Sequence, residues 1–508
     1  MTAGCGLPAA FVMKNNNVLI IGAGIGGLAV GIRLAAEGFR VRIVEKNELP
    51  GGWLQPTHID NFIFPNAGSL ITMPQQLETL FSNVGRSLSD YLELEEFSPI
   101  IRFLFSPEHE YTLYREAADT LMKNSLFGLS DQQGFAAYGK RSDRILDEYL
   151  PKFFSKPYKR SRNPFVPEFG FRNLRPGRSG ASVSSRLFSS EELRNVHAFW
   201  SMFCGGAPSV SSHFYRMIPA VMHRWGVYLV KGGTTALVEA LVRLFEECGG
   251  EIQYSSEAES IQVYNGTVTG VRLSDNSIRM ADYVISDADT AFTCRYLIDS
   301  DRFRYTTVAE AQSRKPGISL FIYHMALKSA PVEKQPLLGF NIIMPSNMRE
   351  WERELFKENR LPVDPLFFLH VPEKIDPSFV PEGKGSLSVI CPVPNLYSEV
   401  NWPRDSYRFR DHILTILQAK FENDLRSDLI GERYITPVML QDTYNSFQGS
   451  AWGFSPNQEK TEVPHLPNRC SDIENLYFVG NGAHPGPFLP AILQGAEIVY
   501  KDIIGTRR

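Results

Sequence analysis

A chain of 508 residues with a formal net charge of −4 exceeds what one hydrophobic core usually covers, so two or three domains are expected. The acidic balance argues against nucleic acid as a partner. No apolar run approaches the length of a membrane-spanning helix, and the first residues lack the basic and apolar regions of a secretory signal.

The first predicted elements form a nucleotide-binding pattern. Val18 to Ile21 is a continuously apolar strand, as expected when both faces are buried, and it runs into Gly22-Ala23-Gly24-Ile25-Gly26-Gly27. Gly22 permits a tight turn, Gly24 lets backbone approach a pyrophosphate, and Gly27 allows close helix–strand packing. Leu28 to Glu37 is predicted as a helix whose amino-terminal amides and dipole face the phosphates. A second strand, Val41 to Val44, ends at Glu45, an acid placed to accept hydrogen bonds from a ribose diol. Lys46, the pair Gly51-Gly52 and Trp53 complete the amino-terminal set of expected cofactor contacts. A lone glycine motif occurs in ordinary turns; strand, helix, second strand and acid together single this one out.

Asn61 to Ile71 is expected as a strand, with Thr72-Met73-Pro74 as a loop. Residues 151–190 carry nine Lys or Arg against one acid, Glu168, with seven Phe or Tyr between them. Five prolines exclude one long helix there. Basic residues attract anionic headgroups at about 1 kcal/mol each, and aromatic rings insert at the lipid interface. Phe169, Phe171, Arg172, Arg175 and Arg178 are therefore expected to contact an anionic membrane surface, the plain alternative being a solvated loop whose rings pack on the domain.

Gly232 to Thr235 opens a helix over Ala236 to Glu247 with an apolar face of Leu237, Leu241, Leu244 and Phe245, stopped by Gly249-Gly250. Strands follow at Glu251 to Tyr254 and Ser260 to Tyr264; Ala258, between them, is counted with the cofactor contacts. Asn265-Gly266 signals a type I′ hairpin with Thr267 to Leu273 as the return strand. Asp282 to Ala288 is expected as a strand rejoining the nucleotide sheet, with Asp289 capping the next helix. Near the end, Leu476 to Val479 runs into Gly480-Asn481-Gly482 and a Pro/Gly turn. Two glycine-rich turns at opposite ends of the chain are thus expected to hold one flavin dinucleotide between them.

The implied fold class is α/β: a discontinuous Rossmann-type FAD-binding domain from residues 16–95, 228–300 and 466–508. A mixed α+β substrate domain takes 96–227 and 301–465, with a membrane-facing helical or loop insertion. The six cysteines show no metal-ligand spacing, which points to free thiols in a reducing, cytoplasmic compartment and to no bound metal.

With these residues in place the chain resembles the bacterial-type carotenoid desaturases, the phytoene and diapophytoene desaturases with their related carotenoid oxidases. The resemblance runs from Gly22–Gly27 through Glu45-Lys46 and Gly51-Gly52 to Gly226–Gly233, Asp282–Asp289 and Gln448–Gly453. It is most specific over Leu476–Leu493, including His484-Pro485-Gly486-Pro487-Phe488-Leu489-Pro490-Ala491-Ile492-Leu493. It implies an FAD enzyme bound peripherally to membrane, acting on long apolar polyenes. Pro490, Ala491 and Ile492 would then lie against the flavin, and Phe488, Leu489 and Trp452 would line the substrate pocket. Two departures stand out: Trp53 where the family usually has a basic residue, and Pro487-Phe488 with Ala491 where it usually has more glycine. Both add bulk near the flavin and leave substrate and regiochemistry open.

Hydride removal to flavin N5 asks the protein to position a C–H bond and exclude water, so no nucleophile–base set is required. His484 is the candidate catalytic group beside the ring, holding its own loop being the plainer role. Desaturation leads, with oxidation of a terminal methyl by the same scaffold close behind. A soluble amine oxidase-type flavoenzyme and a non-catalytic flavin- or carotenoid-binding protein are the more distant alternatives. The electron acceptor, oxygen or a quinone, stays open.

Overall fold

The structure is a computed structural model that describes residues 16–66, 70–106, 108–157, 179–299, 307–330, 337–421, 424–457 and 465–507. Phe169, Phe171, Arg172, Arg175 and Arg178, expected at a membrane, lie outside the described residues.

The elements that build the cofactor side are β1 (Asn17–Ile21), α1 (Ile25–Ala36), β2 (Arg40–Val44), α2 (Leu150–Ser155), α3 (Gly233–Glu247), β3 (Glu251–Gln253), β4 (Tyr283–Ser286), β5 (Leu476–Phe478) and α4 (Leu489–Arg507). Five strands form one sheet in the order β3-β2-β1-β4-β5, every pair parallel. Parallel strands need crossovers that cover both faces, which explains the unbroken apolar run of β1. On one face α1, α3 and α4 share a core with Leu28, Leu34, Leu241, Phe245, Leu493 and Val499. The helix expected from Leu28 begins one turn earlier, at Ile25, so the glycine motif itself supplies its first turn. Similarly, α3 starts at Gly233 rather than Ala236.

Asn265 and Gly266 both take positive φ, 49° and 81°, and join Ala258–Tyr264 to Thr267–Leu273 as the hairpin signal required. The strand expected over Asn61–Ile71 is broken: Thr57–Ile59 pairs with Phe62–Phe64 around Asp60, and Ile71–Thr72 joins a separate sheet with Val227–Val230 and Leu94–Glu96.

A second, seven-stranded sheet runs Leu429–Ile435, Ser319–Leu327, Gly385–Val393, Phe367–His370, Phe340–Ile343, Ile101–Leu104, Glu110–Leu113. Only Phe340–Ile343 beside Ile101–Leu104 is parallel within it. One face packs on the helix Trp402–Phe421, and the other meets a large aromatic cluster around Phe103, Phe199 and Trp200. Among the described residues, no helix is long and apolar enough to cross a membrane.

Candidate active site

The two glycine turns meet. A Cβ placed on Gly26 would stand 3.0 Å from the Gly480 amide nitrogen and 3.1 Å from Val479 Cγ2. They are brought together because β5 pairs with β4, which pairs with β1, so both turns leave the carboxyl edge of one sheet. That edge is where doubly wound sheets take their ligands. Gly51 extends the same surface by donating its amide to Ala23 O at 2.8 Å.

Glu45 directly follows β2, beside the first turn. Its Oε2 accepts from the Ala23 amide at 2.8 Å and its Oε1 from the Asn47 amide at 2.9 Å, so the carboxylate is fixed against the turn. The Ser256 amide donates to Glu45 O at 2.8 Å, which places Ala258, at the start of its strand, nearby. Lys46 turns elsewhere. Its ammonium donates to Asp442 O at 2.7 Å and Asn445 Oδ1 at 2.8 Å, with Glu257 at 3.4 Å. In this arrangement Lys46 fastens the cofactor sheet to the chain after the seven-stranded sheet.

Asp287 is not among the residues expected at the site. It follows β4 directly and its carboxyl group reaches both turns: a Cβ on Gly24 or Gly26 would lie 2.4 Å from its Oδ atoms. Burial raises its pKa to about 7, the Gly27 and Gly24 amides pull the other way, and the Glu45 charge adds to the rise. Thr290 Oγ1 is buried without a hydrogen-bond partner and aims at Gly482, where a Cβ would approach it to 2.6 Å. Asp289, in contrast, is fully employed as a helix cap, accepting from the Phe292 amide at 2.9 Å.

These features fit a dinucleotide. The glycine turns leave no room for a Cβ, α1 presents its amino terminus beside them, and one buried hydroxyl still lacks a partner. Among the described residues, no group of His, Cys, Asp and Glu is arranged to hold a metal ion.

Beyond Gly482 the chain becomes apolar. His484 is 1% exposed; its Nε2–H donates to Phe153 O at 2.9 Å, with Lys156 O at 3.2 Å. Burial lowers its pKa to about 4 against the raising effect of those carbonyls, so the ring is neutral at ordinary pH. The imidazole therefore binds carbonyls at the end of α2 and ties the carboxy-terminal turn to it.

Phe488 and Trp452 border the large aromatic cluster, whereas Leu489 and Ile492 border the core under α1. Pro490 and Ala491 are buried in the first turn of α4, where the Ile492 amide donates to Phe488 O at 2.8 Å. Trp53 packs on Tyr444, with ring centroids 5.7 Å apart, beside a small cluster that Trp452 also touches. The start of α4 is thus the junction between the cofactor cradle and an apolar wall.

Comparison with known proteins agrees with this geometry. The family model described as flavin containing amine oxidoreductase matches residues 25–290. A lycopene-forming phytoene desaturase from Pseudescherichia vulneris is 32% identical over 482 residues, covering 94% of this chain and 97% of that one. A 4,4'-diapolycopene oxygenase from Methylomonas sp is 27% identical over 497 residues, covering 96% and 98%. Among solved structures, an oxidoreductase from Methanosarcina mazei shares the fold with a TM-score of 0.62 at 18% identity, over 96% of this chain and 100% of that one. The chain belongs to the flavin containing amine oxidoreductase family, within its carotenoid desaturases and related oxidases, and is an FAD-dependent oxidoreductase.

Proposed function

We propose that this chain introduces double bonds into an acyclic carotenoid precursor, of the phytoene or diapophytoene type, at a membrane surface. One observation carries the reading. Phe488, just before α4, borders the aromatic cluster, and Leu489 with Ile492 in its first turn border the cofactor side, so a hydrocarbon wall adjoins the dinucleotide cradle. The names of the similar proteins support the same substrate class.

FAD, when bound, would supply a two-electron acceptor that takes the hydride at N5 while the neighbouring carbon gives up its proton to a nearby base or the flavin, and oxygen or a quinone would serve as the final electron acceptor. Gly22 to Gly27 with Glu45, Gly51, Gly52 and Gly480 to Gly482 would hold its dinucleotide, and Pro490, Ala491 and Ile492 would lie along the ring. Phe488, Leu489, Trp452 and Trp53 exclude water and align the polyene. His484 acts as a positioning residue through the Phe153 carbonyl rather than as an acid or base. Residues 16–95, 228–300 and 466–508 constitute the cofactor domain, and 96–227 with 301–465 the substrate domain.

The basic and aromatic residues Phe169, Phe171, Arg172, Arg175 and Arg178 are assigned to membrane contact, because a water-insoluble substrate must enter from lipid. A second reading, oxidation of a terminal methyl, is favoured by the similarity to a diapolycopene oxygenase.

Pigment analysis after co-expression with enzymes that make the shorter or the longer precursor tests both. New conjugated polyenes are expected. Aldehydes or acids formed on an already coloured substrate would select the second reading, and no product from either precursor would overturn both.

A further inference from the structure

The cradle has glycine walls, yet a carboxyl group stands among them. Asp287 sits behind both turns: a Cβ would come within 2.4 Å of its Oδ2 from Gly24, and within 2.4 and 2.6 Å of its Oδ1 from Gly26 and Gly480. The Gly27 and Gly24 amides, at the start of α1, hydrogen-bond to it. Protein surrounds its carboxyl group closely, while the residue as a whole keeps partial exposure. A pyrophosphate carries two negative charges and favours the same helix amino terminus.

We infer that Asp287 couples FAD binding to the uptake of one proton, because an ionised carboxylate and the cofactor's pyrophosphate oppose each other at the α1 amino terminus. This rests on the assignment of the cradle to FAD. The protonated carboxyl group still accepts from the Gly24 and Gly27 amides but brings no charge.

Other ionisable groups facing this point are few. Glu45 at the end of β2 adds like charge and favours the proton. Asp289, on the same turn, is pushed up to about 6 by burial against the lowering effect of the Phe292 amide, so it is mostly ionised above pH 7. The first turn of α1, Ile25 to Leu28, and the turn Gly480 to Gly482 contribute no charged side chain. Burial and Glu45 already hold the Asp287 carboxyl group up to about 7. Bound pyrophosphate raises it further, so affinity is full below that value and falls as pH rises through it.

The test is the release of FAD from diluted full-length holoprotein, followed by the return of flavin fluorescence at several pH values. Between about pH 6 and pH 8 the Kd is expected to rise roughly tenfold, and Asp287→Asn is expected to hold it within about twofold. Titration calorimetry of FAD into flavin-stripped protein near pH 7.5, in two buffers of different ionisation enthalpy, should give about half to one proton taken up per FAD. Equal pH slopes in the parent and Asp287→Asn, or no proton uptake, would overturn the inference. If Asp287→Asn does not fold, the proton count on the parent decides. Glu45→Gln should weaken binding and move the pH dependence to lower pH without abolishing it, because the Glu45 charge favours the proton on Asp287; a dependence abolished by Glu45→Gln would sink the role of Asp287. A protein that takes up no FAD at any pH refutes the cradle assignment instead.

Discussion

The cofactor cradle and the aromatic cluster beside it are built by opposite means. The cradle is defined by missing side chains: at Gly24, Gly26, Gly27 and Gly480 a single Cβ would lie 2.3 to 2.6 Å from an atom already in place. The cluster is defined by abundant ones. Phe103, fully buried, has Phe199 at 5.4 Å and Tyr111 and Trp200 both at 5.9 Å between ring centroids. Space in the cradle belongs to individual positions, so one methyl group decides. Space in the cluster is shared, so the loss of one ring is spread over its neighbours.

Four substitutions break or sharpen that contrast. Phe103→Ala should cost the most stability, about 3–5 kcal/mol by denaturant unfolding, while the folded fraction keeps its flavin absorbance. Flavin loss at full stability would show that the cluster shapes the cradle directly. Gly27→Ala should cost about 1–3 kcal/mol and yield colourless protein. Its Cβ would meet Gly22 O at 2.3 Å, and a backbone oxygen in a tight turn has nowhere to go. Normal flavin content in that variant would contradict the account of the cradle.

Glu45→Gln is milder: its carboxylate accepts from the Ala23 and Asn47 amides, so loss of one charge-assisted hydrogen bond costs about 1.5 kcal/mol of stability and weakens FAD roughly tenfold. An unchanged dissociation constant would remove Glu45 from the ribose site. Smallest is His484→Gln, which keeps a donor near Phe153 O. Because the imidazole is already neutral above about pH 4, the pH profile of turnover between about pH 5.5 and 8 should keep its shape, with kcat reduced only a few-fold. Loss of one limb of that profile would make His484 an acid or base after all.

What the sequence disclosed about the site follows the same division. The glycine motif and Glu45 were legible because strand, turn, helix and acid are local, each explained by its neighbours in the chain. Lys46 was counted as a cofactor contact, yet its ammonium binds Asp442 O and Asn445 Oδ1, partners that only the folded chain brings near. Asp287 was hidden inside an expected strand of Asp282 to Ala288. The strand stops at Ser286, which puts the carboxyl group on the turn. An acid just past the carboxyl end of a central parallel strand was the available signal. The seven-stranded sheet was not legible at all. Its long strands, Ser319–Leu327 and Gly385–Val393, are buried throughout and show no alternation to betray them.

The position of β5 has a consequence for biosynthesis. It is the last parallel strand beside β4, its outer edge covered by Asn468 to Cys470, and it carries the second turn. A ribosome finishes the other four strands long before Leu476 emerges, so a nascent chain displays β4 with an open edge and half a nucleotide grip. A chain cut upstream of Leu476 would keep the first glycine turn, lose the second, and leave β4 with an unpaired edge of the kind that recruits other chains.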